Sequence, residues 1–243
     1  GDWTRTDLRW RTDRGNGLAL RFEMTDFVAY DVFILKRPNA AESYDANVVA
    51  RAEQRAKAMS DDEKLLLERN IIAGLPGGAL VQTRQSINRL LESCGGIDAV
   101  TMQSNLLAFL KEVVLVAEEH GVYLGIHPDD PPFSLFGLPR VVSTPQDVRS
   151  ILSAVDSPYN GITLCTGSYG SRPDNDLVAM ATEFAPRINF AHLRNVTVEA
   201  DGSFFEDDHL DGGTDMVGVV EALLREERRR AAAGDTRRAI PPA

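Results

Sequence analysis

The chain has 243 residues, 43% hydrophobic and 26% charged, enough for a sizeable core and for one α/β domain of up to about 250 residues. A net charge of −10 argues against a nucleic-acid partner, and the densest basic run, Arg225 to Arg230, is interleaved with Glu226 and Glu227 and reads as a solvated helix face. Two cysteines cannot build a disulfide framework, and no signal peptide or apolar stretch of about 18 residues is recognised, which points away from secretion and membranes and toward a reducing cytoplasm.

The opening 25 residues, Arg-rich and punctuated by Gly15-Asn-Gly17, read as a long loop with one short extended piece over 18–22. Residues 27–35 are apolar with helical period and stop before Pro38. Helical patterning over 45–69 includes a new start at Asp61-Asp-Glu-Lys64. Asn70 to Leu75 and Pro76-Gly-Gly mark a turn region, and Cys94, in Glu-Ser-Cys-Gly-Gly, sits at a helix end. Leu106, Leu107, Leu110, Val113, Val114 and Ala117 predict an amphipathic helix over 104–120, with Gly121 as its C-terminal cap.

From there the chain alternates. A strand over 122–126 leads into the stiff loop His127-Pro-Asp-Asp-Pro-Pro132. Thr144 caps a helix that starts at Pro145 and runs to Ala154. A strand over 161–164 is followed by the loop Cys165-Thr-Gly-Ser-Tyr-Gly170, then a helix over 174–184, a strand over 188–191 and a last helix over 214–232. Three β-loop-α repeats predict a parallel sheet with crossover helices. Only four or five such units are counted, where a closed barrel needs eight strands.

His127, Cys165 and His192 each follow an apolar run that reads as a buried strand, and they stand 38 and 27 residues apart, about one β-α-β unit each. Ligand-type side chains at successive strand C-termini describe a metal site on an α/β barrel. An imidazole, thiolate, imidazole set prefers zinc, manganese, iron or cobalt over magnesium or calcium. A lone histidine or cysteine beside a strand is more often a packed core residue; the recurrence of three favours ligation. Asp129, Asp130, Arg140, Tyr169, Arg172, Asp174 and Arg194 stand around this set, and arginines there suit a carboxylate-bearing substrate. His209 lies among carboxylates, and His120 reads as a structural helix-end residue.

Ala73-Gly-Leu-Pro-Gly77, Ile126-His-Pro-Asp-Asp-Pro-Pro132, Phe136-Gly-Leu-Pro-Arg140, Cys165-Thr-Gly-Ser-Tyr-Gly170, Asp174-Asn-Asp-Leu177 and Ala191-His-Leu-Arg194 resemble mannonate dehydratase, as does the opening Asp2-Trp-Thr-Arg-Thr-Asp-Leu8. The resemblance covers essentially the whole chain, in order. It implies a (β/α)8 TIM-barrel domain over 1–243, xylose-isomerase-like and incomplete here. It also implies dehydration of D-mannonate to 2-keto-3-deoxy-D-gluconate in hexuronate breakdown, with a divalent metal, commonly Mn2+ (Fe2+, Co2+ and Zn2+ being the other choices). The family's metal ligands fall on His127, Cys165 and His192; its sugar-acid loops correspond to stretches containing Arg5, Arg140, Arg172 and Arg194. Tyr169 and Asp129 are the candidates for acid-base assistance. The expected partners are a small sugar acid and further copies of the chain, with no membrane or nucleic acid.

Three departures from the family pattern stand out. The segment with the first strands is not in the chain, and neither is the Asp-His-Gly-His segment expected to supply the fourth ligand and a catalytic histidine. Phe205 also stands where the pattern has a histidine. Two rivals therefore accompany the dehydratase reading: another divalent-metal sugar isomerase or epimerase on a similar barrel, and a truncated, non-catalytic remnant.

Overall fold

A computed structural model describes residues 3–12, 17–74, 83–237 and 239–242. They divide into two compact units: residues 1–98, 133–139 and 198–205 in the first, 99–132, 140–197 and 206–243 in the second.

In the first unit the opening is not a loop. β1 (Asp7–Arg11) and β2 (Leu18–Phe22) pair antiparallel, with Trp10 opposite Ala19. The Arg-rich sequence tolerates this because its cations lie on aromatic faces. The Arg21 guanidinium sits 5.0 Å above the Trp10 ring, which lies 4.4 Å from the Phe205 ring. β2 also pairs antiparallel with Phe204 and Phe205. The predicted helical stretch after it is α1 (Met24–Val28) running into a π-helical segment, Ala29–Ile34.

α2 (Ala46–Ala58) and α3 (Asp61–Ala73) follow, the latter opened by a capping box between Ser60 and Glu63, and Val28 and Ala29 pack on Ala52 and Ala56. α3 continues through Asn70, placed in a turn by the sequence, because the Asn70 amide donates to the Thr6 carbonyl and Ile71 is fully buried. The Pro76-Gly-Gly turn lies outside the described residues. α4 (Arg84–Ser93) ends at Cys94, as the sequence predicts.

The second unit begins with α5 (Ala99–Glu119), whose Leu110 and Val114 pack against Val141, Val142 and Ile151. Gly121 adopts φ +67°, the left-handed geometry expected past a helix end. The sequence reading missed one property of this helix: among the described residues it is the one helix long and apolar enough, by length and composition, to cross a membrane.

β3 (Leu124–Ile126), α6 (Pro145–Ala154) and β4 (Asn160–Cys165) come next. A short helix, α7 (Thr166–Gly170), occupies the stretch expected as a loop, and α8 (Leu177–Glu183) and β5 (Ile188–His192) follow. β6 (Asn195–Val198) and β7 (Phe204–Asp207), which the sequence reading did not anticipate, precede α9 (Met216–Ala233).

β3, β4 and β5 form a parallel sheet in that order, with Gly125 opposite Gly161 and Cys165 opposite His192. β4 is buried at every residue, as a central parallel strand covered on both faces should be. Ile162 and Leu164 pack with Met180 of α8 and Val219 of α9. The opposite face at Gly161 has no room for a side chain, since a Cβ there would stand 2.5 Å from the Arg187 carbonyl oxygen.

α9 corrects one reading. Arg225 is exposed, but Glu226 and Arg230 are buried and paired at 2.8 Å, because they continue the core-facing stripe of Val219, Ala222 and Leu223 at helical spacing. Arg230 also donates to the carbonyls of Ala185 and Ile188.

The capping box that starts α6 is as expected: the Thr144 hydroxyl accepts from the Asp147 amide, and the Asp147 carboxylate accepts from the Thr144 amide. Thr144→Ala should therefore lower stability by about 1 kcal/mol in urea unfolding. No measurable change would mean that Pro145 alone sets this helix start.

Candidate metal centre

Because β3, β4 and β5 are parallel, their C-terminal ends lie on one edge of the sheet. His127 follows the last residue of β3, Cys165 is the last of β4 and His192 the last of β5. One ligand-type atom from each lies within 4.8 Å of the others, and the imidazole rings are 5.9 Å apart. These are the three residues chosen from spacing alone.

Their surroundings fit a cation. His127 Nδ1 lies 2.7 Å from the Pro128 carbonyl; with the proton on Nδ1 donated there, Nε2 is left as the coordinating atom. Cys165 Sγ stands 3.4 Å from His192 Nδ1. Burial works against ionisation of the Cys165 thiol, yet hydrogen bonds from His127 and His192 and the charge of Arg194 outweigh it and bring the thiol from 9.0 down to about 5. The His127 ring is moved the other way: burial opposes its charge, but the Cys165 sulfur and the Pro128 carbonyl raise it above 6.5. Two imidazoles and a buried thiolate-forming cysteine are a donor set for a borderline divalent ion.

The residues expected around this trio are placed in different ways. Asp130 and Arg194 form an ion pair at 2.6 Å, with the Asp130 side chain 2% exposed, and Arg194 also reaches Glu206 at 3.3 Å. The Asp129 carboxylate is a local brace, with one oxygen accepting from the amides of Val141 and Val142 and from the Ser143 hydroxyl. Its other oxygen lies 3.9 Å from Arg140. Arg172 pairs with the more exposed Asp174 at 2.7 Å. Tyr169 is fully buried in the core formed with Leu164, Leu177 and Met180. Burial first, then the charges of Asp129, Asp147 and Cys165, push its phenol well above 10.0. Arg5 belongs to the first unit, where its guanidinium lies 4.9 Å from the Phe204 ring centroid. Phe205, in the position expected to hold a histidine, packs on Trp10. His209 and His120 stand apart from the cluster.

The sequence reading missed Ser168 and Glu206. Ser168 is fully buried, and both its amide, at 3.4 Å, and its hydroxyl, at 3.2 Å, face the Cys165 sulfur. The available signal was its place three residues after a strand-end ligand, where an N-cap atom meets the first turn of a helix.

The family model for D-mannonate dehydratase (UxuA) matches residues 1–242. The chain belongs to that family. Among its relatives, mannonate dehydratase 2 of Agrobacterium fabrum is 79% identical over 233 residues, which are 96% of this chain and 58% of the relative. Mannonate dehydratase of Saccharophagus degradans is 58% identical over 240 residues, covering 99% of this chain and 60% of the relative. The crystal structure of mannonate dehydratase from Streptococcus suis serotype 2 superposes with a TM-score of 0.65 at 28% identity, over 100% of this chain and 52% of that one. The chain thus spans about 60% of the length of the curated mannonate dehydratases it matches.

Proposed function

We propose that this chain carries the metal centre of a mannonate dehydratase and takes part in converting D-mannonate to 2-keto-3-deoxy-D-gluconate. The observation that carries the reading is the convergence of His127, Cys165 and His192 at adjoining strand ends in a chain of this family. The chain is read as a (β/α)8 barrel fold of the xylose-isomerase-like type, a reading supported by the parallel β3-β4-β5 sheet and its covering helices in the second unit. Mn2+ is the proposed ion, and the two free cysteines suit a reducing, cytoplasmic setting.

His127 Nε2, Cys165 Sγ and a ring nitrogen of His192 would hold the ion. When bound, it supplies Lewis-acid stabilisation for the negative charge that develops beside the substrate carboxylate. Dehydration removes the C2 proton and the C3 hydroxyl as water, and the resulting enol tautomerises to the 2-keto acid. Tyr169, whose burial keeps the proton on its phenol, is the candidate acid, and Asp129 the candidate base. Arg140, 3.9 Å from Asp129, and Arg172 and Arg194 are the candidate carboxylate and hydroxyl contacts.

The purified protein supplied with Mn2+ and D-mannonate should accumulate a 2-keto-3-deoxy acid, read by a keto-acid assay. In a substrate panel, aldose–ketose interconversion of a sugar with no dehydration of D-mannonate would replace this reading with that of a sugar isomerase.

A further inference from the structure

Ser168 sits where two demands meet. Its hydroxyl oxygen lies 3.2 Å from Cys165 Sγ, 3.2 Å from Asp130 Oδ2 and 3.2 Å from Arg194 Nη2. A serine hydroxyl has one proton and can accept more than one hydrogen bond. Arg194 has only protons to give, so Ser168 accepts from it, and the serine proton goes either to Asp130 or to the sulfur. Asp130 Oδ2 already accepts a short bond from the same Arg194 nitrogen, at 2.6 Å. Ser168 donates to that same oxygen, since a carboxylate oxygen accepts more than one bond; a metal-bound sulfur carries no proton and offers the hydroxyl a second acceptor at the same distance.

Two further features fix the arrangement. The Ser168 amide points at the same sulfur, so its hydroxyl is aimed from a rigid backbone position. Position 167 is glycine because Arg194 crosses it: a Cβ there would stand 2.1 Å from Arg194 Nε.

We propose that Ser168 is a positioning residue that donates hydrogen bonds from its hydroxyl and amide to the metal-bound sulfur of Cys165, that the Asp130–Arg194 ion pair holds it in that role, and that these bonds tune which divalent ion the site prefers. The inference rests on the metal reading above and goes beyond it by assigning work to Ser168 and Asp130, which are not among the proposed metal or substrate contacts. Hydrogen bonds to a ligating sulfur stabilise its lone pairs. The sulfur then donates less to the metal, which weakens the advantage of softer ions such as zinc over harder ones such as manganese.

The test uses Co2+ as a spectroscopic probe and Zn2+/Mn2+ competition, with the unaltered protein beside Ser168→Ala and Ser168→Thr. The unaltered protein should bind one Co2+ with a sulfur-to-cobalt charge-transfer band. Ser168→Ala should move that band to lower energy and raise the preference for zinc over manganese by about tenfold, within the range of about 10- to 100-fold seen for outer-shell partners of metal ligands. Ser168→Thr, which keeps the hydroxyl, should restore both. A change in band amplitude at constant energy, or cobalt loss in Ser168→Ala that threonine does not restore, would show a merely structural serine and overturn the proposal. An unchanged band and preference in Ser168→Ala would overturn it too, with the metal reading intact. No sulfur-to-cobalt band in the unaltered protein would overturn the metal reading itself and this inference with it.

Discussion

Replacing Cys165 with serine should weaken divalent-metal binding by about 100-fold or more, so that a protein purified with metal loses it on dialysis. Disturbing an outer-shell partner alone costs about 10- to 100-fold, and this change removes a ligand. Geometry would be nearly preserved, since serine differs only in the donor atom. What changes is charge and softness. The thiol is brought down to about 5 by its two histidines and Arg194 against the opposing effect of burial, so it is an anionic sulfur near neutral pH. A serine hydroxyl there stays neutral.

His120→Ala is the matched control, because His120 is an exposed histidine just past α5 and outside the cluster. Its metal content should equal that of the unaltered protein by plasma emission spectrometry. An undiminished metal-to-protein ratio in Cys165→Ser would remove Cys165 from the ligand set.

The second large effect concerns stability. Glu226→Ala should destabilise the protein by about 3 kcal/mol, near the lower end of the cost of stripping one partner from a buried ion pair. Glu226 and Arg230 have side chains only 4% and 1% exposed, so the guanidinium left behind could not recover water. It would keep its bonds to the Ala185 and Ile188 carbonyls, which moderates the loss. Combining Glu226→Leu with Arg230→Met should recover part of the stability by removing both charges. Recovery stays incomplete because those two carbonyls then lose a donor. Urea unfolding of the three proteins measures this, and a loss below about 1 kcal/mol for Glu226→Ala would mean that the pair is hydrated in solution.

Arg225 was correctly read as exposed and Arg230 was not, although both belong to one charged run. The difference is helical phase: a run of charges shows composition, while burial depends on which neighbours the stripe meets. The same limit explains the opening segment. Its Arg-rich sequence looked like a loop because the partners that make it a strand, Phe204 and Phe205, are almost 200 residues away in the chain.

Patterns confined to a few residues were legible. Thr144-Pro145, Asp61-Asp-Glu-Lys64 and Gly121 mark helix ends through hydrogen bonds and backbone geometry within one turn, and each end lies where the sequence places it. The trio was legible for a related reason. Parallel strands joined by crossover helices bring their C-terminal ends to one edge, so three ligand types at strand-end spacing imply proximity without further information.

What the sequence by itself determined, then, is the α/β alternation, the helix boundaries set by local caps, and the identity of His127, Cys165 and His192. Only the tertiary structure decided which side chains stand behind them. Ser168 faces the sulfur because α7 turns directly off β4, and Arg194 crosses Gly167 to meet Asp130, a residue 64 positions earlier. Such contacts depend on distances between elements remote in the chain, and no periodicity or motif encodes those.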